Sequence, residues 1–111
     1  MLTIRELDEQ ELLQKLENPG TLLAILAVSP FCGTCQVALR MLDIAGHLLP
    51  EEVELIRADV NRMPAFVQSL RISSVPALLA VRQDRSVAEP VLYAVQSVEH
   101  ILDYIRRGTA T

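Results

Sequence analysis

Two cysteines stand two residues apart in the stretch Ser29-Pro30-Phe31-Cys32-Gly33-Thr34-Cys35-Gln36, and they are the only two in the chain. The apolar run Leu22 to Val28 leads into this stretch, and a helical pattern from Val37 to Leu49 leads out of it. The pair therefore lies where a buried strand hands over to a helix. Backbone N–H groups at a helix start lack partners, and the helix dipole is positive there, so the position favours an anion. A thiolate is such an anion and is the reactive form of cysteine. The two-residue spacer puts the second sulfur one turn further along, near enough to close a short disulfide. Two other readings are open to the pair. Both cysteines could be buried apolar filler, or they could belong to a structural zinc site. Zinc normally needs four Cys or His ligands, and the two histidines, His47 and His100, are not at ligand-like spacings. No metal site is expected. A redox C-x-x-C beside a βαβ pattern is the reading that fits best.

The elements that must position the pair can be read in order. Leu2-Thr3-Ile4 is a short edge strand. Asp8 caps a helix, with Glu11 three residues on and Leu7 facing Leu12 as a hydrophobic staple. That helix carries Leu12, Leu13 and Leu16 and stops at Asn18-Pro19-Gly20. Leu22 to Val28 is apolar on both faces, as a central parallel strand should be. The helix after Cys32 has Val37, Ala38, Met41, Leu42, Ala45, Leu48 and Leu49 at helical spacing and ends near Pro50. Val53 to Val60 is a further strand, with Arg57 and Asp59 near its end. Asn61 caps a short helix through Phe66, Val67 and Leu70, with Pro64 in its first turn. Val75 to Val81 is a third apolar run, Gln83 to Ser86 a turn, and Val91 to Val95 a returning strand. Ser97 caps a last helix with Val98, Ile101, Leu102 and Ile105 inward; Arg106 and Arg107 suit its C-terminal dipole and Gly108 terminates it. The order is (β)αβαβαββα. Crossovers through helices make the first strands parallel, and the short Gln83–Ser86 connection makes the last pair antiparallel. The result is an α/β fold, a mixed sheet with helices on both faces.

The 111 residues suggest a single domain, 1–111. Half of them are hydrophobic, enough for a sizeable core. No apolar run approaches the ~18 residues a membrane span requires. A net charge of −4 argues against nucleic acid as a partner. The stretch Met1 to Gln10 is rich in acids and does not read as a secretory signal, so a cytoplasmic location is expected. In a reducing cytoplasm a catalytic disulfide is a better expectation than a structural one.

With these elements in place the chain resembles the thioredoxin family over nearly its full length. The resemblance is carried by Phe31-Cys32-Gly33-Thr34-Cys35 after a buried strand and by Ser74-Val75-Pro76 before the next-to-last strand. It implies the thioredoxin fold and a protein-disulfide reductase. Cys32 would attack a substrate disulfide, and Cys35 would resolve the mixed disulfide. Phe31, Gly33 and Thr34 would form the active-site loop, and Val75, Pro76 and Ala94 the substrate groove. The Val75–Pro76 bond would be cis and face the cysteines, although a proline at a strand start is permitted in any case. No metal or organic cofactor is implied beyond the redox-active Cys32–Cys35 disulfide. Partners would be protein disulfides and an upstream thiol or flavin-dependent reductase, with the protein a monomer. Several positions depart from the family pattern. Phe31 replaces the usual Trp and Thr34 the usual Pro between the cysteines. Leu26 replaces a buried acid that serves Cys35 as a proton relay, which leaves Arg57 without its usual partner and facing solvent. Arg40 replaces a mid-helix proline, and Ala94 a loop glycine. These departures keep open an alternative from another class, a thioredoxin-fold docking module with little redox turnover.

Overall fold

The computed structural model describes residues 4–110. In chain order the elements are β1 (Arg5–Glu6), α1 (Glu9–Glu17), β2 (Leu22–Val28), α2 (Gly33–Gly46), β3 (Val53–Asp59), one 3-10 turn (Val60–Arg62), α3 (Pro64–Leu70), β4 (Ala77–Val81) and α4 (Val98–Thr109). Among the described residues the sheet has the order β1-β3-β2-β4. The apolar run Leu22–Val28 is indeed the central strand: it pairs in parallel with β3 and antiparallel with β4.

Because β2 is covered on both faces, its side chains divide by the two-residue period of a strand. Ala24, Leu26 and Val28 join Cys35, Ala38 and Leu42 of α2 and Ile101 and Ile105 of α4 in one core layer. Leu23, Ile25 and Ala27 join Leu12 of α1 and Phe66 of α3 in the other. Asp8 begins α1 as expected: its Oδ1 accepts the Glu11 N–H at 2.8 Å, and the Glu11 carboxylate accepts the Asp8 N–H at 3.2 Å. Leu7 and Leu12 are both buried in the same layer, in keeping with a staple.

Other expectations are corrected. Leu2 and Thr3 of the expected edge strand lie outside the described residues, and β1 forms one step later, where Arg5 and Glu6 pair with Ile56 and Arg57. Helix α2 starts at Gly33, directly after Cys32, and ends at Gly46 well short of Pro50. Val37 and Leu48 are 45% and 59% exposed, because the stripe that meets the sheet runs through Cys35, Ala38, Leu42 and Ala45. Asn61 does not cap the next helix. Asp59 accepts the Asn61 N–H at 3.0 Å and so caps the 3-10 turn. The first turn of α3 is capped instead by Glu9 of α1, whose Oε2 accepts the N–H groups of Ala65 and Phe66 at 2.8 and 3.1 Å. Nor does Gly108 end α4. The helix continues to Thr109, and Gly108 is buried where a Cβ would collide with Ala80.

The returning strand Val91–Val95 shrinks to one antiparallel bridge, Leu78 with Leu92, which exchange hydrogen bonds of 2.8 and 2.9 Å. Extending that ladder by two residues either way would pair Ala80 with Pro90 and Pro76 with Ala94. Proline has no N–H to donate, so neither step can form both of its bonds. The Ala80 N–H goes to the Tyr104 hydroxyl at 3.4 Å instead.

Candidate active site

Cys32 stands at the C-terminal edge of the sheet as the N-cap of α2. Its backbone is extended, and its Sγ accepts the Cys35 N–H at 3.2 Å. The sulfur thus takes the place that a Ser or Asp oxygen occupies in an ordinary cap, where a negative charge is favoured. The Thr34 hydroxyl lies 3.3 Å from the same Sγ. Hydrogen bonds from the Cys35 side chain, then from Thr34, hold the Cys32 thiol below its ordinary pKa. The loop before it is tied down by Ser29, whose carbonyl accepts the Cys32 N–H and whose Oγ accepts the Phe31 N–H and the Asn61 side-chain amide.

Cys35 lies one turn into α2 and is fully buried. Burial, reinforced by a hydrogen bond to Cys32, pushes its thiol up to about 11. Both cysteines are free thiols. The pair is therefore asymmetric: a partly exposed sulfur primed as a thiolate above a buried one held as a thiol. In the same core layer as Cys35 lies Leu26, which is 1% exposed. Leu26 faces Arg57 across the β2–β3 ladder. Arg57 is exposed, yet it is not left unpaired, for it holds Glu6 of β1 at 2.8 Å. Both acids of β3 have partners elsewhere. Glu54 is engaged with Arg5, Lys15 and Thr21, and Asp59 with the 3-10 turn.

The other residues named from the sequence gather around Cys32 to different degrees. Phe31 projects outward at 89% exposure. Gly33 and Thr34 form the exposed first turn of α2. The Val75–Pro76 peptide is cis, and the Val75 carbonyl lies 3.9 Å from the Cys32 Sγ. Ala94 is exposed in the segment that follows the Leu92 bridge. Sequence reasoning passed over Tyr93. Its hydroxyl accepts the Ser73 N–H at 3.2 Å and donates to the Arg71 carbonyl at 3.3 Å, bracing the loop that leads to Val75. Nothing in an isolated tyrosine signals such a bond. Nor does the sequence signal the bond from the Asn61 side-chain amide to Ser29 Oγ, although Asn61 itself reads as a helix cap. Among the described residues no three His, Cys, Asp or Glu groups converge on a possible metal position, and no helix is long and apolar enough to cross a membrane.

The thioredoxin family model matches residues 3–107. The chain belongs to the thioredoxin family. This thioredoxin-family chain is 33% identical over 108 residues to the thioredoxin-like protein YusE of Bacillus subtilis (strain 168), covering 97% of this chain and 96% of that one. Among solved structures, a mutant thioredoxin from Halobacterium salinarum NRC-1 superposes with a TM-score of 0.78 at 17% identity, covering 96% of this chain and 90% of the other. Chloroplastic thioredoxin z gives 0.75 at 18% identity, with 95% and 93% covered. The thioredoxin fold expected from the sequence is thereby shown, together with a Cys pair at the family's C-x-x-C spacing.

Proposed function

We propose that this protein is a thiol–disulfide oxidoreductase that reduces disulfides in other proteins through the Cys32–Cys35 couple. The observation that carries this reading is the asymmetry of the pair. Cys32 caps α2 and is stabilised as a thiolate, whereas Cys35 is buried and held as a thiol. The Cys32 thiolate attacks one sulfur of a substrate disulfide; that S–S bond breaks, a mixed disulfide forms and the substrate's other sulfur leaves as a thiolate. Cys35 then loses its proton and attacks the Cys32 sulfur. The second substrate thiolate leaves, and the protein carries a Cys32–Cys35 disulfide. Two electrons have passed to the substrate, and an external thiol or flavin-dependent reductase returns them. Val75, beside Cys32, supplies main-chain groups for a substrate segment lying alongside as an extended strand. Phe31 gives the site an apolar wall without an indole N–H. The working compartment of this scheme is the cytoplasm, and no cofactor besides the disulfide enters it.

A docking role with little turnover is the rival reading, favoured by Leu26, which gives Cys35 nothing to accept its proton. One assay separates the two. The protein is offered insulin with dithiothreitol as reductant, beside a Cys32→Ser control. Reduction above the dithiothreitol background that vanishes in Cys32→Ser supports the oxidoreductase. No excess over background refutes it and leaves docking.

A further inference from the structure

We propose that Tyr93 is a positioning residue that sets the substrate groove for extended protein segments and so separates protein disulfides from small ones. This rests on the reading of Cys32 and Cys35 as a disulfide-reducing pair.

The groove loop runs from Arg71 to Pro76 between two fixed points. At one end Arg71 closes α3 in the left-handed conformation, with its N–H on the carbonyls of Gln68 and Val67. At the other end Ala77 enters β4. Between them Ile72 and Val75 pack partly against the core, while Ser73 and Ser74 are exposed. The Ser73 N–H would point into solvent without a protein acceptor if the Tyr93 hydroxyl did not take it. The same hydroxyl donates to the Arg71 carbonyl, so one oxygen closes the loop onto itself. Tyr93 can do this because the neighbouring Leu92 is bonded in both directions to Leu78 of β4. The chain of restraint is thus β4 to Leu92, Leu92 to Tyr93, Tyr93 to Ser73, and Ser73 through Ser74 to Val75, whose carbonyl lies beside the Cys32 Sγ.

A protein segment that pairs with the Val75 main chain needs that peptide plane fixed before it arrives, because ordering the loop on binding would weaken association. A small disulfide needs only access to the Cys32 sulfur. Loosening the loop should therefore act on one class of substrate and spare the other.

The test is Tyr93→Phe, which keeps the ring, 36% exposed in the native chain, and removes both hydrogen bonds. Steady-state reduction of insulin and of a small aromatic disulfide is compared with wild type, alongside amide hydrogen exchange at Ser73, Ser74 and Val75. The expected result is a KM for insulin raised about fivefold at nearly constant kcat, a rate on the small disulfide within about twofold, and exchange at these amides faster by about fivefold or more. Unchanged exchange overturns the positioning role. Faster exchange with an unchanged KM, or an equal loss on both substrates, overturns the link to substrate class. A wild-type protein inactive on both disulfides refutes the oxidoreductase reading and the substrate link with it, while the exchange rates still decide whether Tyr93 holds the loop.

Discussion

Leu26 and Arg57 are register partners across the β2–β3 ladder and share one face of the sheet, yet Leu26 is buried in the core layer of Cys35 while Arg57 is exposed and holds Glu6 of β1. Burial pushes Cys35 up to about 11, so in the proposed mechanism its deprotonation would limit resolution. Nothing in the core layer takes that proton, so hydroxide, water or the departing thiolate must. Single-turnover decay of a preformed mixed disulfide at Cys32 should rise steadily between about pH 6 and 9, by about tenfold per unit, without a second inflection from a buried carboxylate. In Leu26→Asp the same decay should be faster near neutral pH, at a cost of about 3–5 kcal/mol or more in urea unfolding for the lost leucine packing and the buried carboxyl group. Equal rates in a folded variant would show that the proton leaves by another route.

The asymmetry of the cysteines predicts an order of reaction. A pKa lowered from its ordinary value enlarges the thiolate fraction at neutral pH, and a raised one shrinks it. Cys32 should therefore be alkylated well before Cys35 at mild pH, as read by mass spectrometry of peptides. Cys35→Ser should accumulate a mixed disulfide with substrate, and Cys32→Ser should not.

Thr34 tests the hydroxyl at 3.3 Å from the Cys32 sulfur. Thr34→Val keeps the shape and removes the donor, so the alkylation profile of Cys32 should move to higher pH. A less stabilised thiolate also makes the reduced form less favourable, so the couple should become more reducing in a glutathione equilibration. Thr34→Ser should restore both.

Two acids cap helices in different ways, and each can be removed. Asp8→Ala should lower stability by about 1 kcal/mol, since a local cap is lost. Glu9→Ala should cost about 1.5–3 kcal/mol, because a charged acceptor serving two N–H groups of α3 disappears, with Glu9→Gln falling between it and wild type. Urea titrations of the three variants give the ranking.

Gly108→Ala should destabilise by about 1–3 kcal/mol although alanine is the better helix former, because the new methyl meets Ala80 of β4. Pairing it with Ala80→Gly should recover part of the loss. Full additivity of the two changes would mean that the contact is relieved elsewhere.

What could be read from the sequence follows from how local each signal is. The run Leu22–Val28 gave its strand residue for residue, because continuous apolar character belongs to a strand covered on both faces. The Asp8 cap and the C-x-x-C at the head of α2 were equally plain, each resting on residues within one turn. The exposure of Val37 and Leu48 was not, since the apolar stripe of α2 is wider than the face that meets the sheet. The loss of the last strand was present in Pro76 and Pro90, but only once Leu92 is known to stand opposite Leu78. Glu9 and Tyr93 reach across 56 and 20 positions, and no periodicity announces a bond at that range.

The shortened ladder beside β4 also bears on how the protein meets other copies of itself. A sheet edge with a free row of N–H and C=O groups is a template on which further chains can add, the first step towards aggregates and fibres. On the outer side of β4, Leu78 is already occupied by Leu92, the Ala80 N–H by the Tyr104 hydroxyl, and the Arg82 N–H by the Ser86 carbonyl. An arriving strand finds no uninterrupted run of donors to copy. The same prolines that stop the fifth strand from forming leave this edge a poor seed for growth.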